Sequence, residues 1–128
     1  MNDTTREWFT KAEADLRTPA RELAAADGPN HDAVCFHAHQ CVEKLMKGLL
    51  LERGRIPPRT HDLPELAKVV AETYPAWSAP VADLRFLTRA AIVHRHPGES
   101  ADRSEAEEAP NIGLRLRDSL FALRREPV

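Results

Sequence analysis

The sequence predicts an all-α fold, an antiparallel up-and-down bundle of four to five helices built from one domain spanning residues 1–128. Three observations carry this expectation. Apolar residues recur at three- and four-residue spacing in five segments, and no stretch shows the strict alternation of a half-buried strand. Clusters of Gly, Pro, Asn and Asp separate the segments at lengths suited to helix connections. With 128 residues, 42% hydrophobic and 30% charged, the chain is long enough for one core and too short for two.

The first helix is expected over residues 4–26, where Trp8, Ala12, Leu16, Ala20 and Leu23 paint one apolar stripe. Pro19 lacks an amide donor and disfavours helix in the residue before it, which predicts a kink or break near Thr18. Asp27-Gly28-Pro29-Asn30 then supplies turn chemistry. The second helix, residues 31–53, carries Val34, Ala38, Cys41, Val42, Leu45 and Leu49 on one side and Gln40, Glu43, Lys44 and Lys47 on the other, with Gly54 as its stop. Residues 55–60 form an extended link, because Pro57-Pro58 forbids helix just before it. Asp62 and Pro64 suit the start of a short third helix with Leu63, Leu66, Val69 and Val70 inward, running out near Tyr74-Pro75. A fourth begins at Ser78 or Pro80, carries Val81, Leu84, Leu87 and Ala91, and ends before Pro97-Gly98. The last, residues 104–125, places Ala109, Ile112, Leu116, Leu120 and Leu123 on one face behind an acidic first turn, and Pro110 is expected to kink it or mark its true start.

A net charge of -2 excludes a globally basic nucleic-acid binder, so any such binding must come from a patch or from oligomerisation. No apolar run is long enough to span a bilayer and no secretory leader is evident, which leads us to expect a cytoplasmic protein without a membrane partner. Cys35 and Cys41 would be separated by about 9 Å along a helix and point apart, so free buried thiols are expected rather than a disulfide. Cys35-x-His37-x-His39-x-Cys41 has the composition of a metal site. A helix, however, sends its two pairs to opposite sides, and we expect core thiols flanked by surface or interface histidines, with no metal. Glu43, Lys44 and Lys47 form a charged stripe whose ordinary role is a solvated face and whose sharper one is support for a phosphate or partner. His61 is expected to cap or buttress the third helix.

The chemistry-bearing cluster is Arg85, Arg89, His94, Arg95 and His96. An arginine can hold a phosphate and a histidine can move a proton. The Arg-x-x-x-x-His spacing alone is weak, since chance supplies roughly one such pair in a chain of this composition. On a straight helix Arg89 and His94 lie about 140° apart, so serving one phosphate requires an unwound helix end or a second copy of the chain. Capping of the helix dipole by basic side chains is the bland reading of the same residues.

The run Phe36-His37-Ala38-His39-Gln40-Cys41-Val42-Glu43-Lys44-Leu45-Met46-Lys47-Gly48-Leu49-Leu50, the following Gly54, His61-Asp62-Leu63, and Arg89 followed by Arg95-His96-Pro97-Gly98 together resemble the HEPN family, named for higher eukaryotic and prokaryotic nucleotide binding. The resemblance covers almost the whole chain. It implies an all-α homodimer with the Arg-x-x-x-x-His helices of two protomers facing a shared cleft. Ribonuclease members of the family use that Arg and His to cut RNA without metal, and on that resemblance we expect an endoribonuclease without cofactor, the toxin of a toxin-antitoxin pair. Carried over, Arg89 and His94 would be the catalytic pair, with Arg85, Arg95, His96, Lys44 and Lys47 contacting RNA or nucleotide. Ala90 stands where those ribonucleases commonly carry a polar residue, and Arg95-His96-Pro97 is similar to the Arg-Tyr-Pro triplet of a sister group that partners a minimal nucleotidyltransferase. Three functions therefore stay open: endoribonuclease toxin; non-catalytic nucleotide-binding subunit, with such a nucleotidyltransferase as antitoxin or partner; or an assembly module in which the basic cluster only caps its helix.

Overall fold

Asn30 and Gly54 bracket the helix on which the molecule is built. The Asn30 side chain accepts a hydrogen bond from the amide of Ala33 at 3.0 Å, satisfying one donor that a helix start leaves open. Gly54 takes φ +71°, and the amides of Gly54 and Arg55 return to the carbonyls of Leu51 and Leu50 at 3.0 and 2.9 Å. This is a Schellman ending, adopted without steric cost by a residue that has no Cβ.

The computed structural model describes residues 3–25, 27–93 and 97–125. Its helices are α1 (Asp3–Leu23), α2 (His31–Glu52), α3 (Leu63–Thr73), α4 (Val81–Val93) and α5 (Arg103–Ala122), the last continued by a 3-10 turn (Leu123–Arg125). Among the described residues there is no strand. Helix α2 packs against all four others. Its Val34, Cys35, Ala38, Cys41, Val42, Leu45, Met46, Leu49 and Leu50 are inaccessible to solvent, a burial that a helix with one wet face could not provide.

Cross-helix contacts set the directions. Gly48 meets Trp8 while Lys44 and His37 meet Asp15, so α1 and α2 run antiparallel. Helix α5 returns along α1, with Arg117 forking the Glu13 carboxylate at 2.7 and 3.0 Å and Phe121 against Phe9. Between α2 and α3 the chain does something that spacing does not foretell. Residues 53–62 double back along α2, bringing His61 beside Glu43 and Tyr74 onto the Leu49 carbonyl, so that α2 and α3 point the same way. The prolines of this link keep it extended enough to cover the distance. Helix α4 then turns back, the Leu63 amide at the head of α3 donating to Thr88 Oγ1 at 3.1 Å.

Neither proline breaks its helix: Pro19 is buried inside a continuous α1, and Pro110 lies inside α5, which starts at Arg103 rather than at the proline. Local rules charge each proline for a lost backbone bond; the burial of Pro19 against neighbouring helices offsets that loss. The α5 start is instead set by a capping box, in which Asp102 accepts from the Glu105 amide at 2.8 Å and Glu105 accepts in return from the Asp102 amide at 3.3 Å. Asp62 occupies the N-cap of α3 as expected, without a side-chain cap bond.

Candidate nucleic-acid interface

Leu84, Leu87, Ala90 and Ala91 turn one face of α4 into the core, which leaves Arg85, Arg89 and Ile92 outward. Arg85 and Arg89 are exposed one helical turn apart, and neither forms an ion pair or hydrogen bond with another described residue. Arg85 borders a groove of about 340 Å³ between α3 and α4, alongside Trp77, Val81 and Leu84. His94, Arg95 and His96 lie outside the described residues. A larger surface concavity, about 580 Å³, sits at the far end of α5 among Asp118, Phe121, Ala122 and Arg124, away from these arginines.

Lys44 and Lys47 do not stand free on a solvated face. Lys44 Nζ lies 2.5 Å from Asp15 Oδ2, and the same carboxylate takes His37 Nδ1 at 2.8 Å. Lys47 Nζ lies 3.2 Å from Glu43 Oε2, with only 13% of its side chain exposed. Each ammonium compensates a buried carboxylate, Asp15 between α1 and α2 and Glu43 beneath the segment ending at His61, because an unpaired buried charge would be costly.

Glu43 is the larger departure from expectation. Its side chain is 6% exposed, and it receives His61 Nδ1 at 2.8 Å on one oxygen and Lys47 on the other, with His39 Nδ1 4.0 Å away. His39, itself 2% exposed rather than at the surface, places Nε2 2.7 Å from the His61 carbonyl. His61 therefore buttresses α2, not α3, and is held at both its backbone and its ring while 68% of its side chain faces solvent. Sequence reasoning missed this group. The signal available was a glutamate and a histidine one turn apart on a helix otherwise apolar on most sides.

Cys35 and Cys41 are free and buried. Desolvation, reinforced by Glu105, Asp32 and Asp102 around Cys35 and by Glu13 and Asp15 around Cys41, pushes both thiols up to about 12. Of the intervening histidines, His37 turns to α1 and His39 to the His61 loop, so the four do not converge. Among the described residues no group of three or more His, Cys, Asp or Glu side chains is arranged to hold a metal.

With this geometry in hand, comparison with known proteins is decisive on one point: the model of the HEPN domain matches residues 5–120. The chain belongs to the HEPN family. Two solved structures share the fold. TT1696 from Thermus thermophilus superposes with a TM-score of 0.76 at 24% identity, covering 94% of this chain and 98% of that one. ST0689, described as an archaeal HEPN homologue, superposes with a TM-score of 0.66 at 23% identity, covering 92% and 95%. No curated protein sequence matches. The HEPN assignment accounts for the long Gln40-to-Leu50 run of α2 and the His61-Asp62-Leu63 element as parts of one fold. No helix among the described residues of this HEPN domain is long and apolar enough to cross a membrane.

Proposed function

We propose that this HEPN protein is a homodimeric, metal-independent endoribonuclease, acting as the toxin of a toxin-antitoxin pair, in which Arg89 and His94 of two protomers line one cleft. The observation that carries the reading is the exposed, uncommitted Arg89 in the last turns of α4, five residues before His94. Arg89 holds the scissile phosphate and stabilises the charge that develops on it. A histidine takes the proton of the 2'-hydroxyl, whose oxygen attacks phosphorus; the P–O5' bond breaks and the leaving oxygen is protonated. The products are a 2',3'-cyclic phosphate and a 5'-hydroxyl. Arg85, Arg95 and His96 extend the basic surface, and pairing of two chains concentrates positive charge that a monomer of net charge -2 lacks.

Incubation with RNA in excess chelator, resolved on a denaturing gel, tests the reading. Cleavage by the wild type and its loss in folded Arg89→Ala and His94→Ala proteins is expected; equal cleavage by all three sinks it. A second reading, a non-catalytic nucleotide-binding or nucleotidyltransferase-partner subunit, draws support from Ala90, which is 2% exposed and offers no polar group beside Arg89. It predicts saturable binding without product.

A further inference from the structure

We infer that His61 is a second imidazole of the Arg89 cleft, oriented by Glu43 so that its Nε2 faces the phosphodiester of bound RNA. The inference rests on the proposed ribonuclease reading for its chemistry, but the placement stands on geometry alone. Glu43 is nine-tenths buried and takes Lys47 on one oxygen, so that towards His61 it presents its other carboxylate oxygen, an acceptor. Nδ1 of His61, 2.8 Å from Oε1, therefore carries the proton. In the neutral ring this leaves the Nε2 lone pair as the accessible base, the tautomer being set by the partner of the other nitrogen.

Position follows from the chain. Two residues beyond His61, the Leu63 amide donates to Thr88 Oγ1. On α4, Arg89 lies about 100° and Arg85 about 60° around the axis from Thr88, both on the same, solvent-facing side of the strip of helix that the segment after His61 touches. The His39 bond to the His61 carbonyl fixes the backbone of the same residue. Two buried α2 side chains thus hold one exposed ring on the segment that, two residues on, meets α4 at Thr88, the neighbour of the uncommitted Arg89. A capping histidine would need neither. The ring meets Glu43, which also takes Lys47 and has His39 4.0 Å away; Asp62 follows His61 in the chain, and Arg85 and Arg89 are the exposed charged residues near Thr88 on α4.

Bond formation and cleavage in the proposed reaction need one group to accept the 2'-hydroxyl proton and one to deliver a proton to the 5'-oxygen. With His94 in one of these roles, His61 takes the other. Glu43 acts through His61 and is a positioning residue.

The test uses the full chain. Histidine-ring NMR signals are followed as a short 2'-O-methyl oligoribonucleotide, which binds without being cut, is added. The His61 ring signals should move with saturation, and in Glu43→Gln the same signals should move less. Cleavage of the unmodified RNA is then measured across pH: His61→Asn should lower kcat roughly 100-fold with KM little changed, and remove one limb of the pH profile. Glu43→Gln, which loosens the ring's orientation without removing it, should lower kcat less than His61→Asn does. If the wild type cleaves and His61→Asn cleaves equally with an unaltered profile, the inference is overturned while the ribonuclease reading stands. If RNA binds and moves the His61 ring but is never cut, the ribonuclease reading fails and the placement of His61 stands. A His61 ring unmoved by RNA that does bind overturns the placement itself, and so does an absence of binding.

Discussion

Replacing Glu43 by alanine should destabilise this domain more than any other single change to a charged side chain. The Glu43 side chain is 6% exposed and that of Lys47 13%, so truncating the glutamate leaves an ammonium and the His39 ring facing a desolvated gap. Removing one partner of a buried pair costs about 3–5 kcal/mol, because the survivor keeps its desolvation penalty and loses its compensation. His61 adds little to that sum, since its ring is largely in water. Against a total stability of roughly 5–15 kcal/mol, the loss is a large fraction. Glu43→Gln keeps the volume and an acceptor and should lose less, about 1.5–3 kcal/mol. The double change Glu43→Leu with Lys47→Met removes both charges and should recover most of the deficit. Urea unfolding followed by circular dichroism, at one fixed protein concentration, measures all three. A Glu43→Ala protein within about 1 kcal/mol of wild type, or a double variant no better than the single one, would refute the reasoning.

Two glycines on helix interfaces should respond in opposite directions to alanine. A Cβ at Gly48 would stand 3.1 Å from Trp8 Cβ, which cannot yield without moving α1, so Gly48→Ala should destabilise by about 1 kcal/mol or more. At Gly113 the nearest atoms are the Ala38 carbonyl oxygen at 3.5 Å and Cβ at 3.6 Å, ordinary contact, and Gly113→Ala should gain up to about 1 kcal/mol of helix propensity, both read by thermal melts. Asp102→Ala removes the α5 capping box and should cost about 1 kcal/mol in the same assay. Burial raises the Cys35 and Cys41 thiols to about 12 while an unfolded chain ionises them near 9.0, so stability should hold below pH 9 and fall as pH climbs toward 12. The expected slope is roughly 1.4 kcal/mol per pH unit for each thiol, and iodoacetamide at pH 8 should label neither until denaturant is added. Rapid labelling of the folded protein would contradict the burial.

Helix α2 was legible because its stop signal and its apolar spacing agree with each other, and Gly54 performs the ending that a left-handed residue is needed for. The same helix misled where its polar residues were concerned. Glu43 and His39 read as wet or interfacial because helix periodicity assigns faces from the sequence of that helix alone. What covers Glu43 is the segment ending at His61, eighteen positions on, which no local pattern announces. A break near Pro19 is absent for the related reason that propensity is local and burial is not. The exposed arginines of α4 were legible from the apolar positions between them. His94, Arg95 and His96 lie outside the described residues, so their reading rests on the family resemblance.

The central claim is that Arg89 and His94 perform transphosphorylation on RNA. Its most direct measurement offers the purified protein, in excess chelator, a defined oligoribonucleotide and a counterpart carrying one 2'-deoxy residue at the cleavage position, with analysis of the product ends. The account predicts cleavage of the first only, ends bearing 2',3'-cyclic phosphate and 5'-hydroxyl, and no product from folded Arg89→Ala or His94→Ala. Cleavage at the 2'-deoxy position, or undiminished cleavage by either variant, would contradict it.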